Sequence, residues 1–172
     1  RIVQVGWTFG NGQGTPTTQE IIVKPDGFDI SDEAVKKHRI SHAIASSSGK
    51  PLQEVLLSML SDVLNCYTQG GRIIAHHLEF VAGIISQELE RSSLSHLQDA
   101  WKTVVCNGIC TMDPNTAAWA RDMMGVTEIP RLIPMGLVDM VKGLLPDKIE
   151  LCSKHRSAGN GALMEYVLCK EL

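Results

Sequence analysis

Cysteine and histidine are the residue types in this sequence that are best suited to metal binding and catalysis. Cys106-x3-Cys110 and Cys152-x2-His155 together have the number and type of side chains of a four-ligand zinc site. Structural zinc sites more often use the tighter C-x2-C pair, and Cys106 and Cys110 flank an Asn-Gly turn beside an apolar stretch. We therefore expect no metal site, and we interpret the five cysteines as reduced thiols of an intracellular protein.

Two short basic clusters are the groups best suited to contact phosphate. One consists of Lys36, Lys37 and Arg39, and the other of Lys154 and Arg156. The whole chain has 16 Lys and Arg against 19 Asp and Glu, so its net charge is −3 and any attraction to nucleic acid must be local. The clusters predict weak nucleic-acid binding, and a solvated surface without a partner is the alternative.

Sequence motifs of several large enzyme classes do not occur in the 172 residues. There is no P-loop, no G-x-G-x-x-G after a strand, no H-E-x-x-H and no G-x-S-x-G. The glycines at positions 10, 12 and 14 are typical of a flexible turn. Because no run of about 18 apolar residues exists, we expect no membrane partner.

The spacing of hydrophobic residues along the chain predicts a mixed α/β fold. Partial alternation predicts a strand over residues 2–9, and a glycine-rich loop leads to a return strand over 18–23. Apolar residues with a helical period between 52 and 64 predict one buried helix face. The other predicted elements are helix 31–38, strand 72–75, helix 79–90 with Phe80 facing inward, helix 94–104, a competing strand over 103–106, helix 113–124, loop 126–134, helix 136–145 and helix 160–172. Strands come first and helices dominate later, so we predict a single domain, residues 1–172, built around one sheet.

Three segments carry motifs whose order and spacing match one known family. Residues 21–25, 30–34 and 38–42 are similar to a stretch in which a hairpin strand leads to P…I…A…H-G-I-t. Residues 75–81 (AHHLEFV) are similar to A-H-N-x-x-F-D at the end of a strand, and residues 155–163 to H-x4-D-A at the start of a last helix. Over nearly its whole length the chain thus resembles the DEDDh superfamily of 3′–5′ exonucleases. That resemblance implies a ribonuclease-H-like fold, with a central mixed sheet flanked by helices.

The resemblance also implies a chemistry, because such enzymes cut phosphodiesters with two Mg²⁺ or Mn²⁺ ions held by four carboxylates and with a histidine as general base. The matching histidine here is His155, but Val81 and Gly161 occupy two of the carboxylate positions. An alternative register places Asn160, an amide, at the second of them. The other two carboxylates belong to a D-x-E strand that would precede Arg1. We therefore expect a domain without its first, central strand, either truncated there or with another strand in the gap.

These replacements predict a domain that holds no metal cofactor and is catalytically inactive, a pseudoenzyme retained for nucleic-acid or protein binding. Glu165 lies four residues after Gly161, about 6 Å further along the same helix face, which is too far to replace the missing carboxylate. We interpret Glu165 as a solvated charge. Two alternatives stay open: a structural subunit docked in a larger protein or ribonucleoprotein assembly, and an active metal-dependent 3′–5′ exonuclease whose first motif is missing from the sequence.

Overall fold

The computed structural model describes residues 1–11, 13–125, 135–154 and 157–171, and it describes only the backbone of residues 154 and 171. The elements, in chain order, are β1 (Gln4–Phe9), β2 (Thr17–Ile22), α1 (Asp32–His38), α2 (His42–Ser48), α3 (Leu52–Thr68), β3 (Ile74–Ala75), α4 (Leu78–Arg91), a 3-10 helix (Ser95–Leu97), α5 (Gln98–Cys106), β4 (Ile109–Cys110), α6 (Pro114–Met124), α7 (Leu137–Leu144), a 3-10 helix (Pro146–Lys154) and α8 (Ala158–Glu171). The predicted mixed α/β class is confirmed. Within the ranges given above, no helix is long and apolar enough to cross a membrane.

The strands β1 and β2 form an antiparallel hairpin whose register runs from Gln4 opposite Ile22 to Phe9 opposite Thr17. Side chains alternate across a strand, and on β1 it is Val5 and Trp7 that are buried. The partner strand β2 is largely exposed, so the hairpin contributes one apolar face to the molecule.

A second, very short sheet pairs β3 with β4 in parallel. The Ile109 N–H donates to the Ile73 carbonyl at 2.9 Å, and the Thr111 N–H donates to the Ala75 carbonyl at 3.1 Å. For the described part of the chain the prediction of one central sheet is therefore wrong, since the strands form two separate two-stranded sheets. The physical reason is that no described strand lies between β1 and β3 and pairs with both.

The main apolar cluster lies between the β1–β2 hairpin and helices α3, α4 and α5. Its buried members are Val5, Trp7, Val23, Val55, Leu56, Met59, Leu60, Ile85, Leu89, Leu94 and Trp101. The prediction of one buried helix face between residues 52 and 64 is confirmed. The residues that α3 contributes to this cluster are Val55, Leu56, Met59 and Leu60.

The last helix, α8, packs against α7 and begins on the β1–β2 hairpin. Its apolar residues Met164 and Leu168 pack with α7. At its first turn the Gly159 N–H donates to the Glu20 carboxylate at 2.8 Å, and the Ala158 N–H donates to Gln4 Oε1 at 3.0 Å. An anionic group is favourable at a helix N-terminus, so these contacts fix the start of α8 on the hairpin.

Two of the predicted local features are wrong. Residues 103–106 belong to α5 and not to a strand, because Trp101 and Val104, one helical turn apart, are both buried. Phe80 is 58% exposed, because α4 presents the buried Leu78 to the interior instead.

The structure also contains elements that the pattern did not predict. One is helix α2, which begins where the Ser41 hydroxyl accepts the Ile44 N–H at 3.2 Å. Another is the 3-10 helix Pro146–Lys154, whose apolar residues recur with no clear helical period. The predicted loop 126–134 lies outside the described residues.

Candidate functional site

A cavity of about 580 Å³ lies between β1 and β3, on the side where neither strand has a partner. Its lining comes from β1 and the following Gly10, from the inner side of α3, from residues 71–75, from α4 and α5, and from α8. Close-packed protein interiors contain few voids larger than a water molecule, whereas ligand pockets measure about 300–1,000 Å³. The space therefore has the size of a ligand site and not of a packing defect.

Small residues on α8 create this space. Ala158, Gly161 and Ala162 recur at helical spacing and all line the cavity. At Gly6 on β1 a Cβ atom would collide with the backbone of Ala158, so the start of α8 lies directly against the strand. At Gly161 a Cβ atom would meet nothing within 4 Å. The start of α8 thus lies against β1, whereas the helix leaves an open volume beside Gly161.

The carboxyl group of Glu165 is the main polar feature of the cavity wall formed by α8. Its Oε1 accepts the backbone N–H of His76, at the end of β3, at 3.0 Å. Burial raises the pKa of Glu165 to about 7, and the hydrogen bond from His76 lowers it by a smaller amount. Our interpretation of Glu165 as a solvated charge is therefore wrong. Near neutral pH a large share of the molecules carry this group protonated.

His76 itself is held by a second polar contact. Its ring Nδ1 lies 2.9 Å from the hydroxyl oxygen of Thr111, which follows β4 and is 2% exposed. Burial, and to a smaller extent the neighbouring His77, lowers the pKa of His76 below its ordinary value. The imidazole is therefore neutral at pH 7, and the contact with Thr111 is an uncharged hydrogen bond that joins the ends of β3 and β4.

The thiols in and beside the cavity are poor nucleophiles. Burial and then the charge of Asp62 raise the pKa of Cys66, and burial and then Glu165 raise that of Cys169. The thiolate is the reactive form, so a raised pKa makes both groups less reactive at neutral pH. All five cysteines are described, and no disulfide joins any of them. Asp62 also accepts the indole N–H of Trp7 at 2.8 Å, which orients one wall of the cavity.

The structure brings together two of the residues singled out from the sequence. Val81, on α4, and Gly161, on α8, both line the cavity, although 80 residues separate them in the chain. His155 and Arg156 lie outside the described residues, and only the backbone of Lys154 is described. The exposed Lys36, Lys37 and Arg39 lie on or just after α1 and do not line the cavity.

The residues at this place do not fit a pair of divalent cations. Two-metal phosphodiester cleavage requires several carboxylates around the ions, and neither Val81 nor Gly161 has a donor atom. Glu165 already accepts a backbone N–H. In residues 1–11, 13–125, 135–154 and 157–171, no three His, Cys, Asp or Glu side chains are grouped so that they could hold a metal ion.

Sequence reasoning missed Glu165 and the His76–Thr111 pair as parts of one site. A signal for the first exists, because Ala158, Gly161, Ala162 and Glu165 share one face of α8, and three small residues there indicate close packing against that face. Thr111 has no comparable signal, since its position depends on a two-residue strand. Comparison with known proteins finds no matching family model, no matching curated protein and no matching solved structure. The exonuclease relationship accordingly stays a prediction that rests on the quoted sequence motifs.

Proposed function

We propose that this chain is a catalytically inactive, exonuclease-like domain that acts by binding, and that the cavity beside β1 is its binding site. The observation that supports this most strongly is the location of Val81 and Gly161 in the lining of one cavity. The family resemblance assigns a metal-binding aspartate to each position. With valine and glycine there, two of the four carboxylates that would hold the cations are replaced by residues without side-chain oxygens.

The electrostatics of Glu165, the carboxyl group on α8, support the same proposal. Glu165 has a pKa of about 7, so it is only partly ionised at neutral pH. Its Oε1 is also engaged by the His76 N–H. The other lining carboxylate, Asp62, already accepts the Trp7 indole N–H. A site of this kind favours an uncharged ligand that buries apolar surface and forms hydrogen bonds, because two carboxyl groups that are already engaged do not form a site for a pair of divalent cations.

A nuclease assay tests the absence of catalysis. The purified chain is incubated with 3′-labelled single-stranded DNA and RNA in Mg²⁺ or Mn²⁺, and we expect no shortening of either substrate. Stepwise shortening that stops with EDTA and persists after repurification would contradict the proposal. The matched variant Glu165→Gln identifies the source of any activity, since a contaminating nuclease would be unaffected by it.

Nucleic-acid binding through α1 is a second candidate function. Lys36, Lys37 and Arg39 are all exposed within four consecutive positions, and they lie outside the cavity. If these and neighbouring groups neutralise about three to four phosphates, the logarithm of the affinity should fall against the logarithm of salt concentration with a slope of roughly −2 to −4. Titration of labelled single strands at two salt concentrations measures it. A salt-insensitive affinity would contradict this candidate.

A further inference from the structure

We infer that the ligand of the cavity is an extended peptide segment of a partner protein, which inserts as a β-strand between β1 and β3 and joins the two small sheets into one. This inference rests on the proposed function, because it names the class of ligand that the same cavity binds. It requires unpaired hydrogen-bonding edges on both sides of the cavity, a lining that accepts side chains, and a space that the described chain leaves open.

The β1 edge presents unpaired backbone groups. The Val23 N–H donates to the Val3 carbonyl at 2.8 Å, so Val3, Val5 and Trp7 direct their backbone groups toward β2. In an antiparallel pair the intervening residues direct theirs the other way. Those residues are Gly6 and Thr8, and both line the cavity. Within the described residues neither forms a backbone hydrogen bond on that side.

The β3 edge is its counterpart. The carbonyls of Ile73 and Ala75 accept hydrogen bonds from β4, so the backbone groups of Ile74 and His76 point away from β4. The Glu165 carboxyl accepts the His76 N–H in the place where the carbonyl of a neighbouring strand would lie. Ile74 lines the cavity as well. Both edges thus offer the alternating donors and acceptors that a strand requires.

The two faces of the cavity determine which side chains a strand would carry. Val5 and Trp7 point toward α3 and the main apolar cluster, and Gly6 lies under the start of α8. A strand beside β1 continues these two faces. Its alternate residues would then bury large apolar side chains toward α3, while the residues between them must be small because they face α8.

Polypeptide is favoured over a small apolar molecule because such a molecule would leave the backbone groups of both edges without partners. Unpaired sheet edges readily accept a strand from another chain, and addition of a strand to an exposed edge is a common mode of peptide recognition. No segment of residues 1–11, 13–125, 135–154 or 157–171 fills the space, since the cavity is open in their presence. A strand donated by a separate polypeptide can pair with both edges in this way.

A synthetic peptide tests this inference. The probe is the heptapeptide KVAVAVK, blocked at both ends, whose valines and alanines match the two faces, and binding to the whole chain is measured by calorimetry. The first control is the same peptide with N-methyl groups on its valines, which keeps the side chains and removes backbone donors. We expect the control to bind at least tenfold more weakly, and we expect the probe to slow amide exchange at Gly6, Thr8 and Ile74.

Two glycine variants locate the binding. Gly161→Leu directs a side chain into the open space of the cavity and should weaken binding of the probe at least tenfold. Gly83→Leu is its matched control, because Gly83 also lies within a helix with nothing near its Cβ position, but outside the cavity. It should bind the probe as the unmodified chain does.

Three results would overturn the inference: no binding by the unmodified chain, equal binding of the N-methylated control, or unchanged binding by a folded Gly161→Leu variant. The second of these would indicate an apolar pocket without strand addition. If the nuclease assay detects activity, the proposed function fails whatever the peptide does. If the chain is inactive and the peptide does not bind, only the strand inference fails.

Discussion

Two apolar regions flank β1, and they differ in how completely they are filled. On the side of α3, Val55, Leu56 and Leu89 are fully buried. Beside the free edge of β1, small residues such as Gly161 and Ala162 leave a cavity of about 580 Å³. The cavity wall also includes Asp62, Arg72 and Glu165. Side-chain size, strand pairing and these charged residues therefore distinguish the site from the core.

The filled region should be the more sensitive to truncation. Leu56→Ala removes a fully buried side chain, and we expect it to lower the free energy of unfolding by about 2–5 kcal/mol. Leu57→Ala on the same helix is the control, because Leu57 is 44% exposed and its loss should cost much less. Urea unfolding of both variants measures the difference. Equal losses would show that the core is as loosely packed as the cavity.

The contact between β1 and α8 should resist any added atom. Gly6→Ala places a Cβ atom against the backbone of Ala158, and backbone cannot move aside as a flexible side chain can. We expect a loss of about 1–3 kcal/mol, as for other overpacked positions. Urea unfolding measures it as well. Unchanged stability would mean that α8 does not lie against the strand.

The cavity should make stability depend on pH through Glu165. Its pKa is 4.5 in the unfolded chain and about 7 in the folded one, so the folded state binds the proton more tightly. Stability from this group is therefore complete below about pH 4.5 and is lost as pH rises to about 7. Allowing for its partial exposure, the change is on the order of 2 kcal/mol.

Glu165→Gln isolates this effect. Glutamine keeps a carbonyl oxygen for the His76 N–H but does not titrate, and the contributions of His76 and other groups cancel in the comparison with the unmodified chain. We expect the variant to lose the decline with pH, measured by urea unfolding from about pH 5 to pH 8. Parallel pH profiles for the two proteins would contradict the burial of Glu165.

The open space at Gly161 predicts the smallest effect, and it has the opposite sign. Gly161→Ala adds a Cβ atom that meets nothing within 4 Å, inside helix α8. Alanine favours a helix over glycine by up to about 1 kcal/mol, so stability should rise by that amount or less. Thermal unfolding measures it, with Gly83→Ala at an exposed position of α4 as the control. A loss of stability confined to Gly161→Ala would mean that the space is filled.

The core was predictable because it depends on periodicity. The apolar residues of α3 recur every three or four positions over four turns, and no other element competes for them. The start of α1 also has a local cause, because Ser31 lies at the N-cap and its hydroxyl accepts the Ala34 N–H at 3.3 Å.

The site was only partly predictable, because it depends on contacts between distant residues. Motif order placed Val81 and Gly161 at related positions, and both line the cavity. Neither the two-residue strand β4 nor the raised pKa of Glu165 has a local signal: the first forms because Ile109 pairs with Ile74, and the second because α8 lies across the cavity.

Amide hydrogen exchange tests the central claim, a cavity between two unpaired strand edges, most directly. In the unmodified chain without peptide, the amides of Gly6, Thr8 and Ile74 should exchange fast, because they face the cavity. The amides of Val5, Trp7 and Ala75, which face paired strands, should exchange much more slowly. Slow exchange of equal degree at all six positions would contradict the account, because it would mean that both edges are already paired.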